Sequence, residues 1–268
     1  MGAMAVCHME KGSGSTGGMQ GHNERTYDVK NADTEKADLN FYVKANLKEG
    51  KIQTYSTNPR KGSYKQREDE IISSRHTGRK IRDNAVKRLS FALSGSHEQM
   101  KKLESEGKIK QWAMTNYKFF GQKYGYDNIT EFAVHMDERT PHIHCMLVPM
   151  VKTEKGEKLC AKDLTSRDQL RELQDEYAEA MKPFGLERGL RGSRATHDTT
   201  AEYYAKIHAE KGELENVRNE KEELYHLRDD AKDKFLNVGS MALSELKKET
   251  KKLESQLTRA KNNKGISL

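Results

Sequence analysis

EFAVHMDERTPHIHCMLVPM, residues 131–150, is the stretch on which the fold turns. Its pattern alternates like two short strands around a break at Asp137–Pro141. Residues two apart on a strand share a face, so His142 and His144 point the same way. A tight turn folds His135 back beside them. Pro141 opens the second strand, where a missing amide donor is tolerated. Three neutral imidazoles converging on one point suit a divalent transition metal with open coordination positions. The spacing H-x6-H-x-H, with Glu138 inside the turn, reads as a catalytic metal site. The plainer alternative is a hairpin carrying surface histidines.

A length of 268 residues bounds the chain to one large domain, or one domain with an extension. Hydrophobic and charged residues nearly balance, at 34% and 33%, and the mean hydropathy is −0.98, so part of the chain is expected as solvent-exposed helix. A formal charge of +7 and a pI of about 9.1 suit a polyanionic partner. The cysteines, Cys7, Cys145 and Cys160, have no metal-type spacing, and their odd count argues against a disulfide framework. A reducing cytoplasm is therefore expected. Membrane insertion is not expected, because no apolar run reaches spanning length and no signal-peptide pattern stands out.

Residues 4–24 read as a strand, a flexible glycine loop, and then His22. DLNFYV and KIQTYST, within residues 38–57, read as two strands broken at Glu49-Gly50. A helix is expected near Arg67–Arg75, then a strand over residues 85–94. Ser96-x-x-Gln99 matches a capping box opening the next helix. A further helix spans about Gln111–Lys123, packing Trp112, Tyr117, Phe119 and Phe120 onto the sheet. Another runs from about Arg167 to Lys182, with Leu170, Leu173, Tyr177 and Met181 at helical spacing, and ends at Pro183 and Gly185. From about residue 205 the composition changes. Leu243, Leu246, Thr250, Leu253, Leu257 and Ala260 form a heptad seam, and Leu214, Val217, Leu224, Ala231 and Val238 a looser one. The segment reads as a long helix, either dimerising or a solvated spacer, and the seam suggests that the natural chain runs on past Leu268. The expected division is a catalytic domain at 1–204 and a helical, coiled-coil-like extension at 205–268.

Arg60, Lys61, Lys65, Arg67, Arg75, Arg79, Lys80, Arg82, Lys87 and Arg88 form a candidate phosphate-binding surface. Tyr55, Tyr64 and Phe91 are interleaved for stacking on unpaired bases. The alternative is an ordinary solvated basic face.

His142-Ile143-His144, with His135 upstream, resembles the metal motif of the HUH endonucleases. His22-Asn23-Glu24-Arg25, followed by Asn40-Phe41-Tyr42-Val43, is similar to the first motif of the plasmid mobilisation and recombination (Mob/Pre) relaxases, the MobV family. Leu186-Glu187-Arg188-Gly189 also looks like that family, and the resemblance spans about residues 4–205. It implies an α+β fold with a central antiparallel β-sheet flanked by helices. It also implies a site- and strand-specific relaxase that nicks single-stranded DNA at a transfer origin for conjugative mobilisation, a form of horizontal gene transfer. One departure stands out. The family's Asn-Tyr-acid-Leu is here Asn-Phe-Tyr-Val, which moves the tyrosine one place and to the other face of a strand.

The implied metal is manganese or magnesium. An all-imidazole ligand set favours manganese, because magnesium prefers oxygen. The resemblance points to His22 as the nucleophile, forming a phosphoramidate with the 5′-phosphate. Glu138 is expected to orient His22 as a triad acid orients its histidine, or else to serve as a fourth ligand or turn residue. Arg25 is expected to pair with phosphate, or to make a surface salt bridge with Asp28 or Glu24. Tyr27 and Tyr42 are rival nucleophiles. The expected DNA contacts are Arg25, Asn40, Arg75, Arg79, Lys80 and Arg82. Expected partners are single-stranded and hairpin origin-of-transfer DNA, a second copy through the C-terminal helix, and conjugation coupling machinery. Competing readings are an HUH replication initiator using a tyrosine such as Tyr177, a non-catalytic metal-stabilised DNA-binding and dimerisation protein, and a small-substrate metallohydrolase.

Overall fold

Strand alternation gives the central sheet two unlike faces. In β4 (Arg88–Gly95) Leu89, Phe91 and Leu93 are buried on one side, while Ser90, Ala92 and Ser94 face the other. The same register runs through β6 (His142–Leu147), where Ile143, Cys145 and Leu147 join the core and His142 and His144 turn away from it. With β1 (Ala5–Gly12), β2 (Phe41–Asn46), β3 (Lys51–Tyr55) and β5 (Ile129–His135), these strands form a six-stranded antiparallel sheet in the order β1-β4-β6-β5-β2-β3. The computed structural model describes residues 3–46, 49–189, 191, 220–228 and 243–263. They fall into two units, Met1–Arg191 and Gly192–Leu268. The expected boundary at residue 204 lies outside the described residues.

The apolar face is covered by α4 (Ile109–Tyr124) and α5 (Arg167–Met181), which bury Trp112, Phe120, Leu173, Tyr177 and Met181 completely or nearly so. Phe91 meets Phe120 with ring centroids 4.7 Å apart. The opposite face is covered by α1 (Gly17–Asn23) and α2 (Tyr64–Arg75). α3 (His97–Ser105) joins β4 to α4. A separate hairpin of β7 (Met150–Thr153) and β8 (Gly156–Leu159) follows β6 at the end of the sheet remote from His135.

Several expectations change on contact with the fold. Ser96 starts α3 without capping it by its side chain, because its Oγ accepts the amide of Met4 at 2.8 Å instead. Capping boxes form at Ser63 with Gln66 and at Ser166 with Gln169. Tyr64 and Phe91 are core residues, 0% and 2% exposed, so neither can stack on a base. Arg60, Arg67 and Arg88 leave the basic surface too: Arg60 and Arg67 pair with buried Glu131, and Arg88 with Glu68. Burying an arginine demands such a partner.

In the second unit, residues 220–228 form α6 and Leu243–Asn263 form α7. The seam leucines Leu246, Leu253 and Leu257 are half-buried. Leu253 and Leu257 line a cleft with Leu224 and Tyr225 of α6, so among the described residues α6 and α7 turn apolar side chains to a shared cleft. Leu214, Val217, Ala231, Val238 and the Leu243 side chain lie outside the described residues. Among the described residues no helix is long and apolar enough to cross a membrane.

Candidate active site

His135 ends β5 and His142 begins β6, and the two residues are paired in register. His144, one pleat further along, sits beside Ala133. His22 comes from α1, a short helix where a flexible glycine loop was expected. A Cβ at Gly21 would come within 2.3 Å of the Tyr27 ring packed against the helix, so any larger residue there would displace that ring. The loop leading into α1 is held by Arg88, which donates to the carbonyls of Gly14 and Ser15 at 3.0 Å each.

These elements bring His22, His135, His142 and His144 together, each offering a ring nitrogen within 4.8 Å of the others. The Glu138 carboxylate reaches into the cluster, with Oε1 3.5 Å from His22 Nε2 and 3.7 Å from both His135 Nδ1 and His142 Nε2. The outer nitrogens are tied to backbone. His142 Nδ1 lies 3.0 Å from the Thr140 carbonyl and His135 Nε2 lies 3.4 Å from that of Asn23. Donation to those carbonyls leaves His142 Nε2 and His135 Nδ1 as inward lone pairs, the arrangement that prepares histidines for a metal. His144 Nε2 is buried without a hydrogen-bond partner. An orphaned buried nitrogen beside two inward lone pairs fits a cation, because it would otherwise be an uncompensated desolvation cost.

Burial disfavours charge on three of these histidines. It pushes the His135 imidazole down to about 4 and His144 well below its usual value, with the charge of neighbouring histidines adding to the effect. It lowers His22 as well, against the pull of Glu138. Glu138 itself is half-buried, which acts to raise it. The histidine rings gathered round it, His135 foremost, outweigh that and hold it well below the carboxylate range.

Arg25 organises the rest. It donates through Nε and Nη2 to Asp137 at 2.8 and 2.6 Å, through Nη2 to Glu138 at 2.9 Å, and through Nη1 to the His22 carbonyl at 2.6 Å. Its backbone stands at φ 52°, a left-handed conformation costing about 1–3 kcal/mol in a non-glycine residue. The fork expected on phosphate is thus spent on positioning Glu138 and α1. Asn40 is similarly engaged: Nδ2 donates to Asp137 at 2.7 Å and Oδ1 accepts the amide of Met136 at 2.7 Å. Arg75 donates to Glu157 and to the Asp127 carbonyl, at the remote end of the sheet. Arg79, Lys80 and Arg82 line a groove there with Lys162. These four residues are not brought to the histidines.

Sequence reading missed Asp137, although it adjoins Glu138. It also missed the chain from buried Glu131 through Asn58 to Glu24, the residue that caps the end of α1, with donor distances of 2.6 and 2.8 Å. Tyr42 faces the histidine side of β2, buried, and its hydroxyl donates to the Asn23 carbonyl at 3.3 Å. Burial raises its phenol to about 12. Tyr177 lies in the core on the opposite face, so the initiator reading loses its tyrosine.

The family model of plasmid recombination enzymes (Mob/Pre) matches residues 1–205. The chain belongs to that family. Plasmid recombination enzyme type 2 of Staphylococcus aureus is 35% identical over 206 residues, covering 74% of this chain and 45% of the relative. A plasmid recombination enzyme of a Bacillus species is 32% identical, covering 87% and 54%. The chain thus spans about half the length of these curated relatives. A manganese-bound crystal structure of the MobM relaxase domain with origin-of-transfer DNA of plasmid pMV158 superposes with a TM-score of 0.63 at 28% identity, covering 76% of this chain and 99% of that one. The Mob/Pre match and this superposition agree with the helix-flanked antiparallel sheet.

Proposed function

We propose that this Mob/Pre chain is a metal-dependent relaxase that breaks one strand of origin-of-transfer DNA and keeps its 5′-phosphate on His22. The observation that carries this reading is the meeting of four histidines around one carboxylate, three with nitrogens suited to a metal and the fourth on its own helix. The manganese and origin DNA in the MobM relaxase structure support it. His135, His142 and His144 would hold the ion, manganese for its tolerance of imidazole. When bound, the ion offsets charge on the phosphate and on the departing oxygen.

The chain's own residues account for the remaining chemistry. His22, neutral by burial, needs no deprotonation before it attacks phosphorus. A nitrogen–phosphorus bond forms as the bond from phosphorus to the 3′ oxygen breaks. That oxygen leaves as a 3′ hydroxyl with a proton from water. Glu138, 3.5 Å from His22 Nε2, accepts the ring's N–H and frees the other nitrogen for attack, while Arg25 keeps the carboxylate in place. The phosphoramidate stores the energy of the broken bond for rejoining.

Arg75, Arg79, Lys80 and Arg82 would steer the backbone of origin DNA, single-stranded or in its hairpin, at a distance from the chemistry. The 205–268 extension would join two copies or dock the transfer machinery. A second reading deserves testing because His22 also lies within 4.8 Å of the other ligand nitrogens: it would be a fourth ligand closing a structural site. Incubation with single-stranded origin DNA and manganese, resolved on a denaturing gel, separates them. A manganese-dependent covalent adduct, which does not form when chelator is present from the start, supports the relaxase. Tight binding of DNA without an adduct supports the closed site.

A further inference from the structure

Beside the histidine cluster lies a trough that the strand-transfer chemistry leaves unused. His8, Ala92 and His144 stand in one row across β1, β4 and β6, all on the histidine face. His8 and His144 are therefore two strand spacings apart, about 10 Å, with only the Ala92 methyl between them. Glu10, Ser90 and Met146 form the next row. Gly18 and Met19 of α1 wall the trough, Tyr27 stands at its mouth, and His22 and His144 close one end, enclosing about 380 Å³. The cleft opens directly beside His22 and is wide enough for a planar base.

The polar groups that line it are not neutral as to base. Glu10 offers only acceptors, and His8 Nε2 lies 3.4 Å from Glu10 Oε1. Guanine alone carries two adjacent donors, N1–H and N2–H, on the edge that also bears the O6 acceptor. A carboxylate takes both donors, and the His8 ring nitrogen that faces Glu10 Oε1 across 3.4 Å turns its N–H to O6. Adenine sets the lone pair of N1 against the carboxylate, cytosine supplies one donor, and thymine supplies one donor between two carbonyls. We propose that this trough is a base pocket that selects guanine at one of the two nucleotides flanking the broken bond, read by Glu10 and His8. The inference rests on the strand-transfer reading above.

The test uses the full chain, manganese and a pool of single strands with a randomised segment. Covalent adducts and released 3′-hydroxyl fragments are sequenced to read the base on each side of the break. Guanine should exceed every other base roughly tenfold or more at one flanking position. Glu10→Gln places one acceptor and one donor in the trough, matching N1 and N6 of adenine, and should move the preference toward adenine. The side chain is 74% exposed, so this change leaves the fold intact. No preference at either flank, a preferred base other than guanine, or guanine retained in Glu10→Gln would each overturn the pocket while leaving the relaxase standing. A pool in which no strand is cut would sink the relaxase reading, and the pocket with it.

Discussion

The two faces of the one sheet are built by the same strands and obey different rules. On one face β4, β5 and β6 present Phe91, Phe132 and Ile143 to Trp112 and Phe120, and any apolar set of equal volume would serve. On the other, the alternate residues of those strands include Ala92, Ala133 and three histidines, the histidines held by carbonyls, a carboxylate and an arginine with spent donors. The apolar face tolerates exchange and supplies stability. The polar face tolerates little and returns chemistry. Substitutions should therefore separate into those that cost folding and those that cost only activity.

The largest expected effect is on the polar face. His22→Ala should abolish adduct formation, by several orders of magnitude, with the thermal midpoint unchanged within a few degrees. A denaturing gel and a melting curve on the same sample check both halves. His144→Ala should next weaken manganese binding by more than about 100-fold, beyond the 10–100-fold typical of losing an outer partner, read by calorimetry; unaltered affinity would remove His144 from the ligand set. Trp112→Ala, on the apolar face, should lower stability by about 3–5 kcal/mol in denaturant titration, while folded protein keeps its manganese affinity. Arg25→Lys keeps the charge but loses the fork. It should slow adduct formation by about 10–100-fold with little change in manganese affinity. The smallest effect belongs to the remote groove: Arg79→Gln should weaken DNA binding alike for all sequences and reduce the salt slope by about one unit.

Periodicity made the apolar face legible. Trp112, Phe120, Leu173 and Tyr177 follow 3.6-residue spacing, and the strands follow two-residue spacing, so both helices and the sheet are written in the sequence. His135, His142 and His144 were legible because one hairpin carries all three. What joins distant segments was not. Arg25 shows no local sign that its donors go to Asp137 and Glu138 more than 100 positions away. Arg67 and Arg88 look like surface charges in a basic run, and only Glu131 and Glu68 reveal them as buried. The glycines of α1 hid a helix whose stability comes from packing on the sheet and on Tyr27 rather than from propensity.

The most direct measurement is a peptide map of the protein–DNA adduct by mass spectrometry, after reaction with single-stranded origin DNA and manganese. The division of labour on the polar face predicts a nucleotide on the peptide bearing His22 through an acid-labile nitrogen–phosphorus bond. An acid-stable adduct on Tyr27 or Tyr42 would contradict it and return His22 to the metal.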